Sequence, residues 1–369
     1  MTYSIRRIST EREFAALQTS WEHLLGRSVD ANTFLSHAWL HSWWTSYQPR
    51  ASLAILLSEK AGRLHGIAPM MLSREGIAGR LFRRVRFIGD GTSETDHMNF
   101  VVDRDDRAEI LEGLLDAVGQ LRWDIAHFNH LPESSSNASQ LRQYTKRKAW
   151  LVKTHTIPCP RRSIPQSVDG LMASLPSRLR TAIRSARRDL EKQHAVEFGL
   201  IQKKEEVGGA LDALFRNHSG RWQAKGEEGV FVDLRKREFY SRLSERLLEE
   251  GSLRFFFLKA DGRIIAQQFC FEYDGTVLLL QEGFDIGFSK LNVGNVLRAM
   301  VFEYLIEQGA KAYDFLGGMS RHKRSWSDVI ANDLSIRACR PTLLGQAAHR
   351  APHWIARLKG QVAATAQEA

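Results

Sequence analysis

Cysteine is scarce in this sequence, and long apolar runs are absent. Cys159, Cys270 and Cys339 are the only cysteines among 369 residues, and their spacing matches neither a zinc motif nor a disulfide scaffold. No apolar run approaches the ~18 residues that a membrane-spanning helix needs. The N-terminal stretch MTYSIRRISTEREF lacks the apolar segment of a signal peptide. We therefore expect a cytoplasmic protein in a reducing compartment that holds no metal.

Several catalytic signatures are also missing. The sequence contains no Walker loop, no HExxH motif, no CxxC pair and no GxSxG motif. Because each motif creates the local geometry of its chemistry, these absences argue against P-loop kinases, zinc peptidases and serine hydrolases. General disorder is excluded as well, since 43% of the residues are hydrophobic and 9% are aromatic.

Positive charge is what the sequence has in excess. The formal net charge is +10 at pH 7, which favours anionic partners such as a nucleotide-like cofactor, RNA or an anionic membrane surface. We expect no DNA partner. The stretch HRAPHWIARLKG (349–360) in the C-terminal tail is basic and amphipathic. It could contact a membrane surface, remain solvated or pack on its own domain.

A weak internal duplication indicates the fold. Residues 53–72 (LAILLSEKAGRLHGIAPMML) align without a gap to residues 253–272 (LRFFFLKADGRIIAQQFCFE). Both segments predict strand, turn and strand, and both are followed by a polar loop, a helix and a further strand near Asp124 or Asp314. Either the chain contains a structural repeat, or two α/β halves share a common pattern by chance. The order predicts an α/β protein whose sheets are partly antiparallel and partly parallel.

The first segment that could carry chemistry is a basic helix, RLRTAIRSARRDLEK (178–192). Helical periodicity puts four arginines within an arc of ~100°; they are Arg180, Arg184, Arg187 and Arg188. Guanidinium groups on one face suit phosphate, because each can donate two parallel hydrogen bonds. The alternative is a charged face that simply meets solvent.

A second segment, LFRNHSGRWQAKGEEGVF (214–231), combines a histidine with an Arg-Trp pair. Trp222 offers a stacking plane and Arg221 a fixed cation for a substrate. His218 is a candidate general base, since an unperturbed imidazole has a pKa near ~6.5. A lone histidine is also common as a surface or hydrogen-bonded core residue.

The remaining segments surround a predicted strand, loop and helix at 280–297 and the strand AYDFL (312–316). Gly294 lets a ligand approach the backbone at a helix start, which favours an anion such as pyrophosphate.

A carboxylate inside a strand costs several kcal/mol unless it is paired. Asp314 is therefore expected to pair with an arginine, such as those at 180–188, or to act on a substrate amine. We expect Lys323 and Trp326 to close over that substrate.

Together these segments resemble the CelD-like acyltransferases of the GNAT superfamily, which are associated with cellulose and exopolysaccharide gene clusters. The resemblance is carried by five segments: RLRTAIRSARRDLEK, RNHSGRWQAKGEEGVF, DGRIIAQQFCFEYDGTVLLLQEGFD, NVGNVLRAMVFEYLIEQGAKAYDFLGG and HKRSW. It implies two tandem GNAT-like folds, which we place at 1–155 and 156–340, followed by a basic tail at 341–369.

The resemblance also implies transfer of an acyl group, usually acetyl from acetyl-CoA, to an amine. The positions that match the CoA site are Gln281 on the strand and Asn292, Val293, Gly294 and Asn295 in the turn. Arg184, Arg188, Arg221, Trp222, Lys323 and Trp326 are the expected substrate-binding residues. The acceptor is expected to be a small-molecule or saccharide amine, and no metal is required.

The catalytic base and the substrate class stay open at this point. Candidate bases are Asp314, Asp285 and His218. The turn retains one glycine where GNAT proteins usually have Gln/Arg-x-x-Gly-x-Gly/Ala. The same double fold resembles FemABX peptidyltransferases, which use aminoacyl-tRNA. A third alternative is a non-catalytic scaffold in a polysaccharide-synthesis complex.

Overall fold

The computed structural model describes residues 3–77, 80–223 and 226–350. The chain divides into two compact units: unit 1 runs to Cys159 and resumes at Ala331, whereas unit 2 is Pro160–Ile330. The sequence-based boundaries differ from these at 331–340, which they assign to the second domain. The predicted tail begins with a short helix, and residues 351–369 lie outside the described residues, as does most of the stretch considered for membrane contact.

Unit 1 contains two sheets and their covering helices. Its helices are α1 (Glu11–Ala15), α2 (Gln18–Leu25), α3 (His37–Tyr47), α4 (Arg107–Gln120), α5 (Ser136–Arg147) and, late in the chain, α12 (Leu343–Arg350). Its strands are β1 (Ser4–Ile8), β2 (Ala51–Leu53), β3 (Ile55–Lys60), β4 (Arg63–Ala68), β5 (Met70–Ile77), β6 (Arg80–Phe87), β7 (Val101–Val102) and β8 (Ile125–Pro132), with parts of β9 (Leu151–Ser163) and β15 (Val329–Cys339). One sheet has the order β1-β3-β4-β7, and the other includes the order β15-β8-β6-β5-β2.

Unit 2 is one mixed sheet with helices on its faces. Its helices are α6 (Val168–Ser174), α7 (Ser177–Gln193), α8 (Lys204–Gln223), α9 (Leu234–Glu249), α10 (Val293–Glu307) and α11 (Arg321–Trp326). Its strands are β10 (Val196–Leu200), β11 (Leu253–Ala260), β12 (Arg263–Tyr273), β13 (Thr276–Phe284) and β14 (Ala312–Asp314), in the order β10-β11-β12-β13-β14. The β13–β14 pair is parallel, and the other pairs in this order are antiparallel. This confirms the predicted mixed sheet.

The core of unit 2 follows from strand alternation. Successive side chains of a strand point to opposite faces, so a strand covered on both sides reads as a continuous apolar run. In β11, Phe256 and Leu258 pack in the core cluster that also contains Leu190 of α7 and Phe302 of α10. Phe255 meets Phe269 of β12, with ring centroids 5.0 Å apart. The phenylalanine-rich sequence of β11 is thus explained by burial on both faces.

The two hairpins of the predicted duplication have the same geometry. Antiparallel pairing of β3 with β4 shifts register between Ser58 and Glu59, and pairing of β11 with β12 shifts between Leu258 and Lys259. Both turns place two successive residues in the left-handed region, with φ values of 52° and 74° in one and 50° and 80° in the other. Such a turn is the type I′ turn that matches the twist of a tight hairpin. The predicted strand-turn-strand repeat is confirmed.

Candidate functional site

The candidate active site lies in unit 2, where β13 and β14 part. The two strands pair only from Thr276 to Leu278 on β13, opposite Ala312–Asp314 on β14. Beyond Leu278, β13 continues to Phe284, and within the described ranges no further pairing joins it to β14. A register shift opposite Phe269/Cys270 leaves one extra residue on β13. A bulge of this kind bends the strand and redirects the side chains that follow.

The start of α10 forms a second wall of this site. Asn292 precedes the helix in the left-handed region, with φ 49°, and its Oδ1 accepts a hydrogen bond of 2.8 Å from Asn295 Nδ2. The first N–H groups of a helix have no partner within it, and the helix dipole favours an anion there. A Cβ added at Gly294 would meet only Phe284 Cδ1, at 3.7 Å, within its surroundings. The buried Val293 side chain faces the core, so only its backbone is available at this turn.

A charged cluster that the sequence did not predict lies between β13 and α10. Glu282 forms an ion pair with Arg298, whose side chain is 0% exposed. Gln268 Nε2 donates to the same carboxylate at 3.4 Å. His322 Nε2 of α11 lies 3.8 Å from Glu282 Oε1. Three separate elements, β13, α10 and α11, therefore contribute charged or titratable groups to one place.

The electrostatics of this cluster fix the charge states of Glu282 and His322. Burial by itself raises the pKa of Glu282, but Arg298, His322 and Arg221 outweigh it and bring that pKa to about 2. Burial, reinforced by Arg298, lowers the pKa of His322 to about 3 despite the opposing Glu282 carboxylate. At neutral pH the cluster thus offers an ionised carboxylate beside a neutral imidazole, which can accept a proton.

Asp314, a predicted base, forms an ion pair and a hydrogen bond within unit 2. Its Oδ2 lies 2.6 Å from Arg161 Nε, and its Oδ1 accepts a hydrogen bond of 2.8 Å from the Leu316 N–H. Its side chain is 1% exposed. The expected pairing with an arginine is present, but the partner comes from β9 and not from the helix at 178–192. The geometry therefore favours a stabilising role over proton transfer.

The other two predicted bases are also held by neighbours. Asp285 caps the turn at 286–291 by accepting a hydrogen bond of 2.9 Å from the Gly287 N–H, and it pairs with Arg263. His218 Nε2 accepts a hydrogen bond of 3.0 Å from the indole of Trp222. The ring proton of neutral His218 is therefore on Nδ1, so no nitrogen lone pair remains to take a substrate proton. The geometry corrects both assignments towards structural roles.

Three of the predicted substrate-binding residues, Arg221, Trp222 and Trp326, contact other side chains of unit 2. Arg221 lies with its guanidinium 5.4 Å from the Phe284 ring centroid and acts on the charge cluster. Trp222 is largely buried and contacts His218, so little of its ring is left to stack on a substrate. Trp326 is fully buried, stacks on Phe302 and donates to Asn295 Oδ1 at 2.9 Å. It fixes α11 to the start of α10.

The remaining predicted residues have other surroundings. Lys323 Nζ donates to the Gly317 carbonyl at 3.0 Å, and Gln281 Oε1 accepts from the Glu282 N–H at 3.2 Å. Arg184 and Arg188 are exposed on α7. The other two arginines of that face are engaged: Arg180 bonds the Met172 carbonyl and Arg187 pairs with Glu191 and Glu303.

Solved structures with the same architecture define the class of fold. A crystal structure of FemX has 11% sequence identity, a TM-score of 0.62, and a match over 90% of this chain and 96% of that one. L-PGS from Bacillus licheniformis has 11% identity and a TM-score of 0.53, over 90% of this chain and 96% of that one. A protein of unknown function from Bacteroides thetaiotaomicron VPI-5482 has 13% identity and a TM-score of 0.53, over 92% and 100%. The chain therefore shares the mixed α/β fold of these solved structures.

The family comparison narrows this class for unit 2. Residues 177–324 match the family model described as "Acetyltransferase (GNAT) domain". These residues are therefore similar to a domain type that in general uses an acyl-CoA co-substrate. No curated protein sequence matches the chain. No helix of the described ranges is both long enough and apolar enough to cross a membrane.

Proposed function

We propose that unit 2 is an N-acyltransferase that moves an acyl group, acetyl in the simplest case, from acyl-CoA to a substrate amine. The observation that carries this proposal is the separation of β13 from β14 beside the start of α10. The unpaired edge of β13 can hydrogen-bond an extended amide-containing arm, while the first N–H groups of α10 attract a pyrophosphate. The match of residues 177–324 to a GNAT acetyltransferase domain supports the same assignment.

The chemistry needs a nucleophile, a proton acceptor and stabilisation of an oxyanion. Acyl-CoA would supply the thioester: the amine nitrogen would add to its carbonyl carbon to give a tetrahedral oxyanion, and collapse of that oxyanion would break the carbon–sulfur bond and release the CoA thiolate. We assign proton acceptance from the amine to His322, which is neutral at pH 7 and lies beside the ionised Glu282. Main-chain N–H groups of β13 would stabilise the developing oxyanion. No covalent intermediate on the protein is required.

The acceptor class is proposed from charge and from the resemblance. We expect a small-molecule or saccharide amine, in polysaccharide or cell-envelope metabolism. Contact of the basic tail (341–369) with an anionic membrane would place such an acceptor within reach. Co-sedimentation with vesicles that contain or lack anionic lipid tests this contact, and equal binding to both would remove it.

A tRNA-dependent transfer is the second candidate function. Arg184 and Arg188 leave a basic, exposed strip on α7 that suits a phosphate backbone. Thermal unfolding with acetyl-CoA, CoA or total tRNA separates the candidates, because a ligand at ~100 times its dissociation constant adds about 2.7 kcal/mol of stability. We expect stabilisation by both CoA compounds. Stabilisation by tRNA alone would favour the second candidate, and no response to any ligand would favour a non-catalytic scaffold.

A further inference from the structure

Unit 1 contains a cluster of metal-ligating side chains that the proposed acyl transfer does not use. Asp96, His130 and Asp333 come from three separate parts of the chain, and one potential ligand atom of each lies within 4.8 Å of the other two. His130 is on β8, and Asp333 is on the neighbouring strand β15, where it pairs with Pro132. The fold therefore brings these ligand types together through strand pairing.

The geometry at His130 differs from that of a simple hydrogen-bonded pair. Its Nδ1 lies 2.7 Å from Asp96 Oδ1. This nitrogen is nevertheless buried and makes no hydrogen bond among the described residues, because the two atoms are not aligned for one. Imidazole nitrogen and carboxylate oxygen are both metal-ligand types, so the two atoms could bind one ion placed between them and Asp333.

Asp333 has the supporting contacts that a metal-binding carboxylate usually has. It is 1% exposed. His97 donates to it twice, from its backbone N–H at 3.1 Å and from ring Nδ1 at 2.9 Å. Ligating carboxylates are commonly oriented by such outer hydrogen bonds. The cluster also buries most of the Asp96 side chain, so two carboxylates share a space where a divalent cation would balance their charge.

We propose that Asp96, His130 Nδ1 and Asp333 bind one divalent transition-metal ion, with His97 as the positioning residue for Asp333. One imidazole and two carboxylates suit Mn²⁺, Fe²⁺, Co²⁺ and Zn²⁺, and the general order of affinities favours Zn²⁺ over the other three. Three protein ligands leave at least one position for water. These residues are distinct from the proposed acyltransferase residues of unit 2, so the metal-site proposal does not depend on the proposed acyl transfer.

Titration of the chelator-treated full-length protein with Co²⁺, followed by visible absorption, tests this site. We expect saturation at one equivalent and loss of the absorption when Zn²⁺ is added. His130→Asn should weaken Co²⁺ binding by at least tenfold. His155→Asn is the matched control, because His155 is exposed on β9 and is not one of the proposed ligands. It should bind Co²⁺ like the wild type.

Two results would overturn the proposal. One is the absence of saturable uptake at one equivalent by the wild-type protein. The other is equal affinity in His130→Asn and His155→Asn. If circular dichroism shows that His130→Asn does not fold, Asp96→Asn replaces it under the same criteria. The thermal midpoint of the wild type with and without Zn²⁺ gives an independent readout, and an unchanged midpoint would also count against the site.

Discussion

Glu282 and Arg298 connect β13 to α10 through an ion pair in which the guanidinium side chain is fully buried. Two further donors of Arg298, Nε and Nη1, have no hydrogen-bond partner among the described residues. The guanidinium lies 5.3 Å from the Phe315 ring centroid and 5.8 Å from that of Trp326. Glu282 is therefore the main charge that compensates Arg298 inside unit 2.

Glu282→Gln should destabilise the protein because it leaves this buried cation without its anionic partner. Loss of one member of a buried pair costs about 3–5 kcal/mol, and the partial exposure of Glu282 reduces our expectation to about 2–3 kcal/mol. Urea unfolding measures the difference. Glu59→Gln is the control, since its pair with Arg6 lies at the surface and should be worth less than ~1 kcal/mol. Equal losses in the two variants would contradict the assignment.

His322→Asn should lower the turnover number and leave acetyl-CoA binding almost unchanged. Removal of a general base typically costs ~10²–10⁴ in rate, and we expect the lower end because the low pKa makes this imidazole a weak base. Release of free CoA in the presence of a panel of amines measures the rate. The control is His155→Asn, an exposed histidine of unit 1. A turnover number equal to that of the control would remove His322 from the mechanism.

His218 should make stability depend on pH. Burial, with Arg221 and Lys236, lowers its pKa in the folded protein from 6.5 to about 3. Below pH ~6.5 the unfolded chain therefore binds a proton that the folded protein does not, so the free energy of unfolding falls as pH decreases towards 3. One such group contributes up to about 1.4 kcal/mol per pH unit. His218→Gln should flatten this dependence between pH 6 and ~4, whereas His155→Asn should retain it. Parallel curves for the wild type and His218→Gln would show the prediction to be wrong.

Gly294→Leu should weaken CoA binding without unfolding unit 2. A small side chain fits at this position, but a leucine would occupy the space in front of the first helical N–H groups. We expect at least a ~10-fold rise in the dissociation constant for CoA, which corresponds to about 1.4 kcal/mol. Isothermal titration measures it. Gly208→Leu introduces the same side chain at an exposed position of α8 with open surroundings, and its CoA affinity should equal that of the wild type. Unchanged affinity in Gly294→Leu would exclude this turn from the site.

Gly66→Ala tests the packing of the first hairpin. A Cβ at this position would lie 2.4 Å from Ile110 Cγ2 on α4, so the Ile110 side chain or the helix would have to shift. Overpacking of this kind costs about 1–3 kcal/mol. Gly76→Ala, in β5, introduces a methyl group where nothing lies within 4 Å, and it should change the midpoint of thermal unfolding little. A neutral Gly66→Ala would show that α4 adapts more easily than its close packing indicates.

Local patterns in the sequence were enough to predict the hairpins, a helix at 295–308 that the structure has at Val293–Glu307, and the mixed character of the sheet. The spacing of apolar residues in strands and helices, together with turn residues, depends on residues that are close in sequence, so it reveals local structure. The gapless alignment of 53–72 with 253–272 located both tight turns, and Ala61-Gly62 and Asp261-Gly262 adopt the same conformation. The Gly294 turn was likewise placed correctly at a helix start.

Partners that are distant along the chain could not be predicted in the same way. Asp314 pairs with Arg161, which enters from β9, and the sequence gives no reason to choose it among many arginines. Residues 331–339 return to unit 1, and only strand pairing reveals this. The Glu282–Arg298 pair could have been predicted from the sequence. Glu282 is the lone charged residue of a largely apolar strand, and Arg298, sixteen positions later, is the lone charged residue in the first half of a largely apolar helix. Trp222 and Trp326 were predicted to contact a ligand because the sequence does not show whether a given tryptophan is buried in the core or exposed in a site.

The register break shared by the two hairpins bears on how this chain arose. It falls at Ser58/Glu59 in one copy and at Leu258/Lys259 in the other, although the paired residues themselves have diverged from Gly66 to Ala266 and from Ser58 to Leu258. A register shift at the same position of two aligned hairpins, with different side chains around it, points to common ancestry. Unrelated hairpins would not be expected to share the position of such a shift. The two hairpins are thus two copies of one strand-turn-strand scaffold, which has kept the irregularity of its ladder while the side chains that it presents have changed.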